Sequence, residues 1–314
     1  MSNLTIMEDF ILMGFSDIEE LQILYAILFL LIYMTALMGN ILIITLTSID
    51  QHLSTPMYFF LKHLSVLDSC FISVTVPKSI INSVTHTRSI SFLGCATQLF
   101  LVLYLAFSEL VLLTVMAYDR YVAICHPLHY EVIMNKKFCV HLVVSSWLSG
   151  GIGGGMYTSS TFSLTFCGIL IQQFFCDVPS LMKISCIGTH LVKTITTALI
   201  FFLALGCFIS IIISYTCIFI AVLRIPSIQG RSKVFLTCLP HLLVTTLFFS
   251  TGSTPYLIPK PDNPSIQDLL LSVLYTVVPP TLNPIIYSLR NKDIKYALRK
   301  IILGKNSLCF NTHM

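Results

Sequence analysis

Two acids stand where the surrounding residues are almost wholly apolar: Asp68 in the run Met57 to Ile81 and Glu109 in the run Phe92 to Ile124. An ionisable group at membrane depth costs several kcal/mol and faces the interior of a helix bundle, so such residues mark ion, proton or switching sites. Asn40, Asn283, Ser65 and Ser108 fall at similar depths in their own runs. One reading is a buried polar centre that holds a sodium ion or shares protons between Asp68 and Glu109; the other is static hydrogen bonding between helices. A further charged pair, Asp119 beside Arg120, ends the third run, where it either works a switch or snorkels to an interface. No nucleophile–base set, zinc spacing, phosphate loop or dinucleotide fingerprint accompanies these groups, so an enzyme is not expected and no resident cofactor is implied.

The elements that must position these residues are membrane helices. Of the 314 residues, 55% are apolar and 10% charged, and a mean hydropathy of +0.86 leaves too little charge to cover a water-soluble globule. Leu21 to Leu46 holds no Asp, Glu, Lys or Arg and exceeds the roughly 20 residues that cross about 30 Å of hydrocarbon. Further apolar runs follow at Met57 to Ile81, Phe92 to Ile124, Phe138 to Ser160, Lys193 to Leu223, Val234 to Ile258 and Gln267 to Leu289. Each is too long for a barrel strand of roughly 9–11 residues, so the expected fold class is an all-α membrane protein, a seven-transmembrane helix bundle. The expected organisation is an extracellular N-terminus over 1–22, the bundle over 23–290, and an amphipathic helix with a cytoplasmic tail over 291–314.

Charge sets the orientation. Thirteen Lys and Arg, including Lys62, Arg120, Lys136, Lys137, Arg224, Arg231, Lys233 and the six from Arg290 to Lys305, fall on one side, against Lys78, Arg88, Lys183, Lys193 and Lys260 on the other. The positive-inside rule puts the richer side in the cytoplasm and the N-terminus outside. The stretch before the first run is acidic and lacks the basic start of a cleaved signal peptide, so the first helix is expected to act as signal anchor on the secretory route to the plasma membrane. Asn3 then heads a lumenal glycosylation sequon. Cys95, Cys167, Cys176 and Cys186 share the outer side and admit three pairings, or free thiols. The bases form no arm and no patch with interleaved aromatics, so nucleic acid is not a partner; membrane lipid is. In the tail, Ile294, Tyr296, Ala297 and Ile301 alternate with Lys292, Lys295, Arg299 and Lys300 as in a helix lying on the inner leaflet.

The segment Met116 to Leu128, with Asp119-Arg120-Tyr121 at its centre, resembles the Asp-Arg-Tyr microswitch of rhodopsin-like G-protein-coupled receptors, and Asn283-Pro284-Ile285-Ile286-Tyr287 resembles their helix-seven signature. Trp147 matches their helix-four tryptophan. Pro56 to Leu61 (PMYFFL), Ser214-Tyr215, Thr237-Cys238 with His241-Leu242, and Pro280 to Lys292 narrow the resemblance to odorant receptors over nearly the whole chain. The sequence departs from that family's pattern at Ser54, Pro240 and Phe248-Phe249-Ser250.

The resemblance implies an odorant-activated receptor in which a small volatile binds between helices three, five, six and seven and a stimulatory heterotrimeric G-protein docks inside to raise cAMP. It implies the pairings Cys95–Cys176 and Cys167–Cys186. It makes Asp119, Arg120, Tyr121, Tyr215, Asn283, Pro284 and Tyr287 the activation set, with Arg120 moving from Asp119 towards Tyr215, and it leaves Asn40, Asp68 and Glu109 as the polar centre. Helical spacing then gathers a pocket from Val102, Leu103, Ala106 and Phe107, from Leu199 and Leu203, from Phe249, Gly252, Ser253 and Tyr256, and from Val273 and Thr276. None of these is charged, so the expected ligand is neutral and mainly apolar, anchored by Ser253, Tyr256 or Thr276 and gripped by Phe107 and Phe249. A receptor for another ligand class, or a transporter or channel, would share the helices but not the odorant-receptor motifs. A retinal pigment would need a lysine between Asp268 and Leu289, where there is none.

Overall fold

The computed structural model describes residues 9–16, 18–85, 87–186, 191–257, 266–291 and 293–299, with the backbone alone at 254–257, 266–268 and 289–290. Long helices dominate: α1 (Glu19–Ile49), α2 (Pro56–Thr85), α3 (Phe92–Cys125), α4 (Lys136–Phe162), α5 (Leu191–Leu223), α6 (Ile228–Leu257), α7 (Ile266–Thr276) and α8 (Val278–Arg290). Among the described residues α1, α2, α3, α5 and α6 are each apolar and long enough to cross a membrane, and α7 with α8 forms a sixth span bent by 41°. α4 has 27 residues, ample for a crossing, but glycine and serine dilute its apolar character. The chain is an all-α, multi-pass seven-helix bundle.

The seventh run thus folds as two helices. Pro279 and Pro280 supply no N–H to the ladder, so the chain breaks at Val277. α6 starts at Ile228 rather than Val234, which puts Arg231 and Lys233 on a helix and not in a loop. Side-chain caps fix other starts: Ser91 Oγ accepts from Gly94 N–H at 3.1 Å at the head of α3, and Asn135 Oδ1 accepts from Phe138 N–H at 3.0 Å at the head of α4.

α3 runs through the middle of the bundle, with Leu105, Leu112, Leu113 and Met116 buried in the main core. α4 can press onto it because Gly150 and Gly154, one turn apart, have no side chains. A Cβ on Gly150 would stand 2.5 Å from the Tyr104 carbonyl oxygen, and one on Gly154 would stand 2.8 Å from the Tyr104 nitrogen. α1 shows the opposite face of the same logic: Ala36, Asn40 and Ile43 are buried while Leu24, Leu31 and Met38 point away from the protein, towards lipid.

Within 1–22, a stretch the sequence gives no element, residues 9–12 form a strand. β1 (Asp9–Leu12) pairs antiparallel with β2 (Ser89–Ser91) and parallel with β3 (Leu170–Ile171), in the order β2-β1-β3, with Phe10 opposite Ile90 and Ile11 opposite Leu170. Phe10 and Leu12 are buried under it and Ile11 is exposed. Four alternating residues are too short a pattern to read as a strand from sequence. Bridges join Cys95 to Cys176 and Cys167 to Cys186, with Cα atoms 5.6 and 5.2 Å apart, so the long loop before α5 is stapled to the start of α3. Disulfides persist in oxidising compartments, and this is the end that the charge count expects to lie outside.

Candidate functional site

The polar centre lies where α1, α2, α3 and α8 meet. Asn283 Nδ2 donates to both Asp68 oxygens, at 3.2 and 3.1 Å, and Glu109 lies within electrostatic reach of Asp68. Asn40, Asp68, Glu109 and Asn283 are all buried. Glu109 Oε1, Asn40 Oδ1, Asn283 Oδ1 and the Tyr287 hydroxyl are buried with no hydrogen-bond partner among the described residues. Pro284 cannot donate to the Pro280 carbonyl one turn back. That freed oxygen is met from another helix: Asn40 Nδ2 donates to it at 2.9 Å, whereas Asn283, the chain neighbour of the proline, turns to Asp68. Gly39 faces Pro284, and a Cβ there would come within 3.0 Å of the proline ring, so α1 and α8 touch at this point.

At the inner end Asp119 is buried and Arg120 nearly so. Arg120 Nε donates to Asp119 Oδ2 at 3.0 Å, and the Tyr130 hydroxyl donates to Asp119 Oδ1 at 2.8 Å. Burial first, and the Asp119 carboxylate second, push the Tyr130 phenol above its ordinary pKa, so it stays protonated and keeps donating. Tyr121 bonds His126 Nε2 at 3.0 Å. Tyr215 is not with Arg120: its hydroxyl is 2.6 Å from His241 Nδ1, and His241 Nε2 reaches the Leu113 carbonyl of α3 at 3.1 Å. A histidine thus ties α6 to both α5 and α3. The tyrosine partner of Asp119 escaped sequence reading because Tyr130 is in the loop after α3; His241 was visible only as part of a motif.

In the outer half, Leu103 and Phe107 of α3 join Tyr157 of α4 and Ile200 of α5 in one apolar cluster, with Phe107 against Gly153. Val102 belongs to the main core, with Ala106 and Val273, both partly buried, packed against it. Phe249 meets the ring of Phe208 at 5.0 Å, and a Cβ on Gly252 would touch nothing within 4 Å. Ser253 Oγ donates to the Ser250 carbonyl at 3.2 Å, and buried Thr276 donates to the Ser272 carbonyl at 2.7 Å. The side chain of Tyr256 lies outside the described residues, as do Asn3 and Ile301.

Two α5 residues depart from the expected pocket. Leu199 is 49% and Leu203 66% exposed. The one-turn spacing between them is correct for a shared face, but it is the outward one. The inward face is Lys193, Thr196 and Ile200, about a quarter-turn round. In a helix apolar on all sides, spacing alone does not say which side is in.

Lys193 is the least expected residue here, since the sequence offers it only as the first residue of the fifth run and one of the charges on the outer side. It is 3% exposed. Its Nζ donates to Thr161 Oγ1 at 2.7 Å and stands 3.3 Å from the centre of the Tyr157 ring. Both partners come from α4, more than thirty residues away in sequence, which is why no local pattern marks them. The tail offers a smaller correction. Residues 293–299 are helical, with Ile294 and Ala297 buried but Tyr296 exposed, and Tyr58 of α2 holds the start of this turn through Asn291 Oδ1 at 3.0 Å and Asp293 Oδ2 at 2.7 Å.

A family model described as olfactory receptor matches residues 29–305. Among relatives, "Olfactory receptor 14A16" of Homo sapiens is 58% identical over 307 residues, covering 97% of this chain and 99% of that protein. "Olfactory receptor 14A2" of Homo sapiens is 54% identical over 303 residues, covering 96% of each. Among solved structures, the crystal structure of squid rhodopsin aligns with a TM-score of 0.70 at 17% identity, covering 90% of this chain and 81% of that one, a likeness of fold.

Proposed function

The chain belongs to the olfactory receptor family, a family of receptors and not of enzymes, and on that premise we propose that it is an odorant-activated receptor that signals through a stimulatory heterotrimeric G-protein to raise cAMP. The ligand is a small, mainly apolar volatile held between the outer halves of α3, α5, α6 and α7. The pocket set is uncharged and suits a neutral molecule; Lys193 lies outside that set and alters the balance at the outer end of α5. The protein works at the plasma membrane, reached through the secretory pathway, with Asn3 glycosylated on the way.

The observation that carries this reading is the inner end. Arg120 is tied to Asp119, and Tyr215 to His241, so the two groups that a G-protein-facing rearrangement would bring together are held apart by separate partners. A ligand shifts such an equilibrium only by binding one arrangement better than the other. Glu109 Oε1 and the free amide oxygens of Asn40 and Asn283 are hard oxygen donors suited to a sodium ion, and with Asp68 they would hold it, or a shared proton, in the resting arrangement. The test is a panel of diverse volatiles with cAMP readout in cells carrying an olfactory-type stimulatory G-protein. Arg120→Ala should abolish the response at matched surface expression, because Arg120 sits at the inner boundary and outside the packed middle. A retained response in that variant overturns the switch; ligand-gated current without cAMP overturns the receptor mechanism.

A further inference from the structure

Lys193 has no carboxylate within ion-pair distance among the described residues. A lysine taken out of water with no counter-charge costs several kcal/mol, and chains rarely keep one without a use for it. Its two partners satisfy it only in part. Thr161 takes one N–H, the face of Tyr157 offers the attraction of a ring quadrupole to a cation, and two N–H donors remain without an acceptor among the described residues. The surroundings are built: Thr161 and Tyr157 are buried, and Thr197 Oγ1, one turn below Lys193, reaches the Tyr157 hydroxyl at 3.4 Å. Lys193, Thr197 and Ile200 lie along one face of α5, and Ile200 and Tyr157 share an apolar cluster with Leu103 and Phe107. A molecule lying along that face would therefore meet an amine at its outer end and an apolar wall beneath it. From Lys193 to Ile200 the helix rises about 10 Å.

We propose that Lys193, with Thr161 and Tyr157, is the anchor for a carboxylate on the ligand, so that this receptor takes aliphatic acids whose chain lies against Ile200, Phe107 and Leu103. This rests on the receptor reading above but refines its ligand from a neutral volatile to an acidic one. The carboxylate supplies the anion that no described residue gives the buried amine and accepts the two donors left over there, while Ser253 and Thr276 are left to weaker contacts.

The test reads binding directly, so it stands apart from any failure of G-protein coupling. Purified full-length receptor in nanodiscs is titrated with octanoic acid, 1-octanol and octane, and binding is followed by the rise in unfolding temperature. The expected order is acid well above alcohol, and alcohol above octane. Lys193→Met should weaken octanoic acid at least about tenfold and leave 1-octanol within about twofold, while Lys193→Arg retains the preference for acid. Comparison of the three probes on the unaltered receptor keeps the proposal testable if Lys193→Met fails to fold. Equal binding of acid and alcohol by the unaltered receptor, or an unchanged acid affinity in a folded Lys193→Met, overturns it.

Discussion

At the outer end, two disulfides and the β2-β1-β3 sheet tie the N-terminal segment, the long loop and the head of α3 to one another. At the inner end, an ion pair and a hydrogen bond hold Asp119 to Arg120 and Tyr130, and two further hydrogen bonds hold His241 to Tyr215 and to the Leu113 carbonyl, spread over α3, α5, α6 and a loop. A bridge spanning 81 residues contributes roughly 3–5 kcal/mol and yields only to reduction. A hydrogen bond to a charged group contributes about 1.5–3 kcal/mol and can be exchanged for another at little net cost. On the proposed function the difference suits a receptor: the end that would take the ligand is fixed in shape, and the end that would take the partner is held by contacts that can be exchanged.

The most severe way to break this contrast is to cut the outer staple. Cys176→Ser should cost about 4 kcal/mol and abolish both surface expression and ligand response, measured by surface labelling and thermal unfolding. Normal surface levels would mean that the outer end does not depend on the bridge. Next is the α3–α4 seam, which serves both ends. Gly154→Val would drive a side chain into the Tyr104 backbone, which cannot yield as a flexible side chain would. A loss of about 3 kcal/mol and a fall in unfolding temperature are expected, against little change for Gly155→Ala, where only the edge of Phe100 comes within 3.9 Å.

The inner end should respond differently. Tyr130→Phe removes one donor from Asp119 and keeps the ring that packs against the core. Basal cAMP should rise several-fold, in line with about 1.5 kcal/mol of lost resting-state stability, while the unfolding temperature barely moves. An unchanged basal level would remove Tyr130 from the switch. The smallest effects are expected in the pocket. Ser253→Ala should weaken an oxygenated agonist by about 1 kcal/mol, roughly fivefold in potency. Leu203→Trp, which would fill the cavity if the one-turn spacing on α5 pointed inward, should leave potency unchanged, because Leu203 faces out.

That last pair illustrates what the sequence makes legible. Leu21 to Leu46 needs only its length and lack of charge to be read as a helix, and the Asp119-Arg120-Tyr121 and Asn283-Pro284 motifs identify themselves by order of residues. Rotation about a helix axis is another matter: α5 is apolar on every side, so Leu199 and Ile200 are indistinguishable until neighbours are present. Contacts between distant segments are equally silent. Nothing near Asn40 points to Pro280, 240 residues on, and nothing near Lys193 points to Thr161. β1 is visible only once Ile90 and Leu170 are beside it.

The contrast between a fixed outer end and a rearranging inner end is tested most directly by two distances in one receptor. Spin labels at Leu128 and Phe235 report on the inner end, and labels at Leu93 and Ile169 on the outer; all four side chains are exposed. In nanodiscs, an agonist from the volatile panel together with a stimulatory G-protein should lengthen the inner distance and leave the outer one unchanged. An outer distance that shifts as much as the inner, or an inner distance that does not move while cAMP signalling persists, would contradict the account.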